Sequence, residues 1–358
     1  MTASLVSEPN KVHSAELSEL HHPYISLRNS RNDSTQYSVF ALRRTLDQIN
    51  GSLVEQVMSF TQYDSRPLRI LTTVRPGKGE TPSLTHLETF SRVTALEATL
   101  YCAIYDPHLS SWRSGSSAAE VKRFLIEHEY ASLEALKKEF GAMCKGCDTR
   151  VEWHHPESKG IIAAAKDVNA DAVFLASSRL TQSLDYHDWE VLTQSSTPVL
   201  ICNTLKPQQC RRVLVAVDPT HAHQKAKSMD THLLTEANAI ARLFDAEIHA
   251  VHAYPSSRTY VTPEVIVPQE IISSWQDDHA SAVKALVEPF NVEKIHLVPA
   301  HPRDAILDTA EQINADLIVI GVSSRSRIAD LVVGHTAEHI INHSKRDVLC
   351  LNAGTGLS

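Results

Sequence analysis

The clearest pattern in this chain is the stretch NADLIVIGVSSRSRIADLVVGHTAEHIINHSKRDVLCLN, residues 314–352. It begins with a continuous apolar run, Leu317–Ile320, which is closed by Gly321, and it ends with a second apolar run, Val348–Leu351. Apolar runs without alternation are typical of strands buried on both faces, as in a parallel sheet covered by helices. A polar loop and a helical pattern lie between the two runs. The stretch therefore predicts a strand–loop–helix–strand unit.

The loop after the first of these strands is the expected place for a ligand. It lies at the carboxyl end of its strand, where open α/β sheets bind their ligands. Thr336 and the turn before it start the next helix, whose first amide groups and positive dipole end favour an anion. We therefore predict an anion site here, and phosphate is the expected anion.

The same unit occurs twice along the chain. Residues 68–76, LRILTTVRP, parallel residues 212–219, RVLVAVDP, and the tripeptide Asn-Ala-Asp precedes an apolar run at both 169–171 and 314–316. The copies are offset by 143 positions (75 to 218) and 145 positions (169 to 314). Such a period indicates duplicated domains, because solenoid repeats are about 20 to 50 residues long.

Each copy alternates strand and helix patterns, which favours parallel strands with right-handed crossovers. In the second copy we expect strands near 212–217, 247–253, 294–299, 316–320 and 347–351, and helices near 228–244, 267–289, 302–313 and 336–344. The predicted fold class is α/β, with two tandem, doubly wound, five-stranded parallel-sheet domains. We assign residues 67–206 to the first domain and residues 207–358 to the second.

Residues 1–66 form a polar extension before the first domain. Its first third has no sustained periodicity, so we expect it to be disordered. From Ser38 to Met58 apolar residues recur at helical spacing, which predicts one or two short amphipathic helices. These helices either pack on the first domain or bind a partner.

The glycine pattern of the second copy resembles a known nucleotide loop. Gly321-Val322-Ser323-Ser324, nine further residues and Gly334-His335-Thr336 are similar to the Gly-x2-Gly-x9-Gly-(Ser/Thr) loop of the universal stress protein family. Ser324 stands where the second glycine is expected, and His335 stands where a Ser or Thr is expected. The resemblance covers residues 67–352, and the tandem arrangement is similar to the E-type universal stress proteins, whose fold is adenine nucleotide alpha hydrolase-like.

This resemblance implies a set of ligand-binding residues. In nucleotide-binding members of the family, an Asp at the end of the first strand helps to hold the ribose, and the backbone after the second strand meets the adenine. The resemblance assigns these two roles to Asp218 and Ala253. The residues that it places around the phosphates of ATP or AMP are Gly321, Ser324, Gly334, His335 and Thr336.

Each assignment also has a purely structural alternative. Asp218 precedes Pro219, and Asp-Pro commonly opens a turn. Gly321 could simply end a strand. Gly334 and Thr336 could simply form a turn and cap the next helix. If the loop needs a positive φ at Ser324, the serine costs on the order of 1 kcal/mol or the loop takes another path.

The first copy lacks the features of this site. Arg75 stands where the second copy has Asp218, and residues 176–180 contain no glycine. At the position of the last glycine turn stands the run Asp185-Tyr186-His187-Asp188-Trp189. We expect Trp189 to pack under the sheet and Asp185 or Asp188 to cap the helix. No nucleotide is expected in this copy.

Cysteine and histidine spacings raise the question of a metal site. Cys144 and Cys147 form a single C-x-x-C pair that His154 and His155 could complete, but without a second Cys pair we expect a structural or incidental role. A further histidine series, at positions 335, 339 and 343, lies along one helix face without an acidic or Cys companion, so no metal is expected there. In a separate apolar strand, His252 is interpreted as a satisfied core histidine.

Composition limits the classes of function. A formal net charge of −8 argues against DNA or anionic-membrane binding, and no apolar stretch approaches the roughly 20 residues that span a bilayer. Residues 1–12 do not resemble a signal peptide, so we expect a soluble, cytoplasmic protein.

Three function classes remain open: a regulatory stress protein that binds a small ligand, an enzyme such as a nucleotide hydrolase, and a ligand-free scaffold. The chain has no Gly-x4-Gly-Lys-(Ser/Thr) loop and no nucleophile elbow. We therefore predict a non-catalytic stress protein that acts through partners not identifiable from the sequence. Its two domains should pack through their last strands, and we expect a homodimer with four domains.

Overall fold

Strands and helices alternate along the chain in the computed structural model. The structure describes residues 25–28, 60–62, 65–75, 82–111, 116–176, 184, 186–204, 209–220, 224–254, 269–322, 324–327 and 330–352. The alternation and the parallel pairing of the strands confirm the predicted α/β class. The predicted domain boundary at residues 206 and 207 lies outside the described residues.

The strands and helices match the apolar patterns of the sequence closely. The strands are β1 (Ile25–Arg28), β2 (Leu68–Thr73), β3 (Leu96–Ile104), β4 (Gly146–Trp153), β5 (Ala172–Ala176), β6 (Val199–Cys202), β7 (Arg212–Ala216), β8 (Glu247–Ala253), β9 (Lys294–Val298), β10 (Leu317–Val322), β11 (Ser324–Arg327), β12 (Asp330–Val333) and β13 (Asp347–Asn352). The α-helices are α1 (Pro82–Ser91), α2 (Pro107–Ser111), α3 (Ser116–Phe140), α4 (Glu157–Asp167), α5 (Tyr186–Gln194), α6 (Gln224–Phe244), α7 (Gln269–Val287), α8 (Pro302–Gln312) and α9 (His335–His343).

Eleven strands form one continuous sheet in the order β1-β9-β8-β7-β10-β13-β6-β5-β2-β3-β4. Within each half of five strands every pairing is parallel. The halves meet where β13 runs antiparallel to β6, with Val348 opposite Ile201. This confirms the expected packing through the last strands, and it makes the two predicted sheets continuous. Because β6 and β13 are antiparallel, the carboxyl edges of the two halves point in opposite directions.

The N-terminal extension contributes an edge strand. β1 pairs antiparallel with β9, and Ile25 lies opposite Leu297. The first third of the extension, where we expect disorder, lies outside the described residues, and β1 follows it as a strand that the sequence analysis did not predict. An edge strand offers unpaired backbone groups that any extended segment can pair with, without a side-chain pattern that sequence analysis would detect. The helices expected between Ser38 and Met58 lie outside the described residues.

Two layers of buried side chains cover the two faces of the sheet. In β10, Leu317 and Val319 belong to one layer, and Ile318 and Ile320 belong to the other, as a period of two requires. The first layer crosses from one half to the other, because Phe90 of α1 lies edge-on to Phe244 of α6 with ring centroids 5.0 Å apart. The two halves therefore share a hydrophobic core.

The duplicated Asn-Ala-Asp tripeptides at 169–171 and 314–316 explain part of the repeat in structural terms. The Asn of each copy has a φ of 50°, a left-handed conformation that ends the preceding helix and that Asn tolerates. The Asp carboxylate of each copy accepts the N–H of the first strand, from Arg69 at 2.9 Å and from Arg212 at 3.0 Å. The tripeptide thus joins a helix end to the start of a neighbouring strand.

A buried polar cluster links the two halves. Asp347 begins β13, and its Oδ2 lies 2.7 Å from Nε2 of His86 in α1. Its Oδ1 accepts the N–H groups of Asn203 at 2.8 Å and Thr204 at 2.9 Å, just after β6. Burial acts to lower the pKa of His86, but the hydrogen bond to the Asp347 carboxylate and its charge act in the opposite direction, and the pKa of His86 is raised. His86 therefore forms an ion pair with Asp347 at neutral pH.

Candidate functional site

Three adjacent parallel strands of the second half carry the residues predicted to bind a ligand. β8, β7 and β10 are neighbours in the sheet. Asp218 follows the end of β7 by two residues, Ala253 is the last residue of β8, and Gly321 is next to last in β10. The fold therefore places all three at the carboxyl edge of this half, where open α/β sheets bind ligands.

Asp218 presents a carboxylate at this edge, and a buried aspartate holds its backbone. The side chain of Asp218 is 47% exposed. Its N–H lies 3.1 and 3.2 Å from the two carboxylate oxygens of Asp230 in α6, and its Oδ1 accepts a hydrogen bond from Thr220 Oγ1 at 3.0 Å. Burial raises the pKa of Asp230 to about 7. The edge thus carries one accessible carboxylate and one buried carboxyl group that binds the backbone beneath it.

Two histidines form a hydrogen-bonded chain behind Asp218. His252 of β8 is buried, and its Nδ1 donates to the Val217 carbonyl at 3.0 Å. Its Nε2 lies 2.8 Å from Nδ1 of His279 in α7, which donates this hydrogen bond when both rings are neutral. Burial lowers the pKa of both rings. The prediction that His252 is a satisfied core histidine is confirmed.

The end of β8 carries an aromatic side chain beside Ala253. The N–H of Tyr254 donates to the Val298 carbonyl at 3.0 Å, which continues the pairing of β8 with β9 by one residue. The Tyr254 ring stacks on His279 with centroids 5.4 Å apart. Sequence reasoning missed Asp230, Tyr254 and His279. Tyr254 was detectable because it directly follows Ala253, whereas His279 reaches the site from a distant helix.

Gly321 has a packing reason to be glycine. A Cβ built on Gly321 would lie 3.1 Å from Cγ and 3.4 Å from Sδ of Met229 in α6. The absence of a side chain therefore lets α6 approach β10 closely. The corresponding position of the first copy is Ala176, which has the methyl group that Gly321 lacks.

The segment predicted as a loop between Gly321 and Gly334 contains a β-hairpin. β11 pairs antiparallel with β12, and Ser324 lies opposite Val333. The loop prediction is therefore wrong for these residues. Ser324 is extended, and among the residues that the structure describes the non-glycine residues with positive φ are Asn169, Asp245 and Asn314. Of the two alternatives for this position, the structure therefore has the second, in which the chain takes another path and Ser324 has no positive φ.

Gly334, His335 and Thr336 open helix α9, as the sequence predicts. Gly334 is the N-cap residue with φ −60° and ψ 130°, a conformation that any residue adopts. The first amides of a helix lack intrahelical partners, so His335 and Thr336 bring donors to this edge. Glu338 places a negative charge in the same first turn, which opposes the binding of an anion there.

In the first half an internal ion pair fills the corresponding position. Arg75 Nη2 lies 3.0 and 2.8 Å from the two carboxylate oxygens of Asp188 in α5. Asp188 is buried in the first turn of α5, and the guanidinium of Arg75 stabilises its carboxylate there, while the prediction that Asp185 or Asp188 caps the helix stays a prediction. Asp185 lies outside the described residues. Trp189 packs against the core, as expected.

The cysteines show no sign of a reactive or metal-binding site. Burial raises the pKa of Cys144, and that of Cys147 to about 11, so both thiols are protonated at neutral pH. Within the described ranges, no group of three or more His, Cys, Asp or Glu side chains is arranged to hold a metal ion. The rings of His339 and His343 stack on each other at 4.0 Å. Cys102, Cys202 and Cys350 are buried, as predicted.

No helix among the described residues is both long enough and apolar enough to cross a membrane.

Comparison with known proteins identifies similar sequences. The model of the universal stress protein family matches residues 209–352. Over 266 residues, 71% of this chain and 84% of the relative, the chain is 24% identical to a universal stress protein E homologue of Haemophilus influenzae. Over 122 residues, 31% of this chain and 67% of the relative, it is 30% identical to a universal stress protein of Methanocaldococcus jannaschii.

Comparison with solved structures supports the fold over both halves. A universal stress protein from Archaeoglobus fulgidus superimposes with a TM-score of 0.55 at 18% sequence identity. The match covers 79% of this chain and 98% of the archaeal chain. At this level of identity the likeness concerns the fold alone.

Proposed function

Because the chain belongs to the universal stress protein family and is similar to its E-type members, we propose that it is a non-catalytic stress-response protein whose second half binds an adenine nucleotide. The ligand is ATP or AMP. The phosphates lie against the opening of α9, and the ribose contacts Asp218. The observation that carries this proposal is the half-exposed Asp218 carboxylate at the carboxyl edge of three adjacent parallel strands.

The chemistry of this edge suits a nucleoside. A carboxylate accepts hydrogen bonds from both ribose hydroxyls, and the hydrogen bond from Thr220 helps to fix its orientation. Tyr254, which follows Ala253, is buried and stacks on the partly exposed His279, and this aromatic pair lies next to where the adenine is expected. Amides of His335 and Thr336 are the donors for phosphate, and Glu338 in the same turn limits the affinity.

A titration with matched variants tests the proposal. Isothermal titration of the full-length chain with ATP and with AMP should detect binding, and Asp218→Asn should weaken it by about tenfold or more, because a charge-assisted hydrogen bond is lost. Asp308→Asn removes an exposed carboxylate from α8 and is the control. Equal affinities for the two variants would exclude Asp218 from the site.

A ligand-free scaffold is the second candidate. Glu338 in the first turn of α9 and the hairpin in place of an open glycine loop favour it. The two candidates differ in the mass of freshly purified protein, since only the nucleotide-binding protein takes up ATP. The same native mass spectrum tests the proposed homodimer, whose interface cannot be the β6–β13 pairing because the chain already uses it internally.

A further inference from the structure

The first half has a cavity of about 610 Å³ at its own carboxyl edge. The cavity lies beyond the ends of β3 and β4, the strands that correspond to β8 and β9 of the second half. Tyr105 follows β3 as Tyr254 follows β8. The side chains that matter for its chemistry are Tyr105, Asp106, His154, His155, Glu157 and His187. The two carboxyl edges point in opposite directions, so this cavity is separate from the candidate nucleotide site.

Aromatic rings form one wall of the cavity. The Tyr105 ring stacks on His155 with centroids 4.1 Å apart and an interplanar angle of 16°. His187 meets His155 edge-on at 6.2 Å, and the Trp153 ring lies 6.1 Å from Tyr105, tilted by 58°. Tyr105 is 38% exposed, which is more than packing in the core requires. A planar group can therefore stack on this wall.

The charge of the cavity is negative. The charged side chains among its lining residues are the carboxylates Asp106 and Glu157, and the described lining contains no Lys or Arg. Outside the lining, Arg75 is paired with Asp188, and Lys122 Nζ lies over the Trp153 ring, 5.0 Å from its centroid. A phosphate is repelled by this charge, whereas a cation is attracted both by the carboxylates and by the faces of the aromatic rings.

We propose that this cavity is a second ligand site, and that it binds a planar aromatic cation rather than a nucleotide. The positive group lies near Asp106 and Glu157, and the ring stacks on Tyr105. The site is independent of nucleotide binding in the second half.

A pair of probes that differ only in the charge of their side chain tests this assignment. Tryptamine and indole-3-acetate share an indole ring, and one carries an ammonium group where the other carries a carboxylate. In isothermal titration of the full-length chain, tryptamine should bind at least about tenfold more tightly than indole-3-acetate. Equal affinities, or no binding of tryptamine, would overturn the proposal.

Three variants locate the bound probe. Tyr105→Ala should weaken tryptamine binding about tenfold, and Glu157→Gln should weaken it while leaving the shape of the cavity unchanged. Tyr130→Ala removes a tyrosine that is 47% exposed on α3 outside the cavity, and it should bind like the unmodified chain. Thermal unfolding of each variant verifies that it is folded. Unchanged binding by both cavity variants, or displacement of tryptamine by ATP, contradicts a separate site.

Discussion

The two halves have the same strand order but opposite chemistry at the end of their first strand. In the first half Arg75 follows β2 and pairs with the buried Asp188. In the second half Asp218 follows β7, and its carboxylate is half exposed above Asp230. The two copies thus share their packing but differ at this position. The first half pairs its charged side chain with a buried partner, whereas the second half has a carboxylate that is partly exposed to solvent. The following predictions test this contrast, from the largest expected effect to the smallest.

Removing the polar link between the halves should have the largest effect. Asp347→Ala leaves His86 buried and charged without its partner, and it removes the acceptor of two backbone N–H groups. We expect the free energy of unfolding to fall by roughly 3–5 kcal/mol, measured by denaturant unfolding. Asp148→Ala, an exposed aspartate in β4, is the control. A loss no larger than that of the control would mean that the link does not stabilise the contact between the halves.

Charge removal at the end of the first strand should affect the two halves differently. Arg75→Ala leaves the buried Asp188 carboxylate without its guanidinium, and since Arg75 is 20% exposed we expect a loss of roughly 2 kcal/mol in the free energy of unfolding. Asp218→Ala should change it by less than about 0.5 kcal/mol, as for exposed side chains in general. Similar losses in both variants would remove the contrast between the halves.

Acid should destabilise the second half through its buried histidines. Nδ1 of His249 lies 3.0 Å from Nε2 of His296, and burial lowers the pKa of both rings, to about 4 for His296. The unfolded chain binds a proton at His296 below about pH 6.5, whereas the folded chain does so only near pH 4, so unfolding takes up a proton between these values. The free energy of unfolding therefore has its full value above about pH 6.5, where His296 is neutral in both states. It decreases as the pH falls from about 6.5 towards 4.

The slope of stability against pH measures this effect. Each such histidine should reduce the free energy of unfolding by about 1.4 kcal/mol per pH unit within its window. His296→Gln should flatten the profile between pH 6.5 and pH 4, while His128→Gln, at an exposed position of α3, should leave the slope unchanged. Identical slopes in the two variants would show that His296 is already protonated in the folded protein.

Gly321→Ala should destabilise the protein less than Asp347→Ala or Arg75→Ala. It introduces the residue that the first half has at Ala176, and the new Cβ would lie 3.1 Å from Met229 Cγ. We expect a loss of about 1 kcal/mol in the free energy of unfolding, which the smaller side chain of Met229→Ala should reduce in the double variant. If the loss of the double variant equals the sum of the losses of Gly321→Ala and Met229→Ala, contact with Met229 is not what disfavours a side chain at position 321.

The sequence predicted most of the sheet because its strands are buried on both faces. Continuous runs such as Leu317–Ile320 are distinctive, and the Asn-Ala-Asp repeats reveal the duplication. β1 and the β11–β12 hairpin were not predicted, because strands of four residues are too short for their side-chain pattern to distinguish them from a loop. A strand that pairs with residues some 270 positions away, as Ile25 does with Leu297, has no local signal.

The candidate site was predictable only where its residues follow strands. Asp218, Ala253 and Gly321 lie at strand ends that the apolar runs define, so their common edge followed from parallel pairing. Asp230 and His279 reach the edge from helices, and their positions depend on how those helices pack. Neither residue belongs to a sequence motif that would have indicated it.

The number of nucleotides bound per chain tests the central claim most directly. Native mass spectrometry of the full-length chain with added ATP should show at most one nucleotide per chain, and Asp218→Asn should need about tenfold or more ATP for the same bound fraction. Two nucleotides per chain would show that the first half also binds ATP despite the Arg75–Asp188 pair. An unchanged bound fraction in the variant would show that Asp218 is not part of the site.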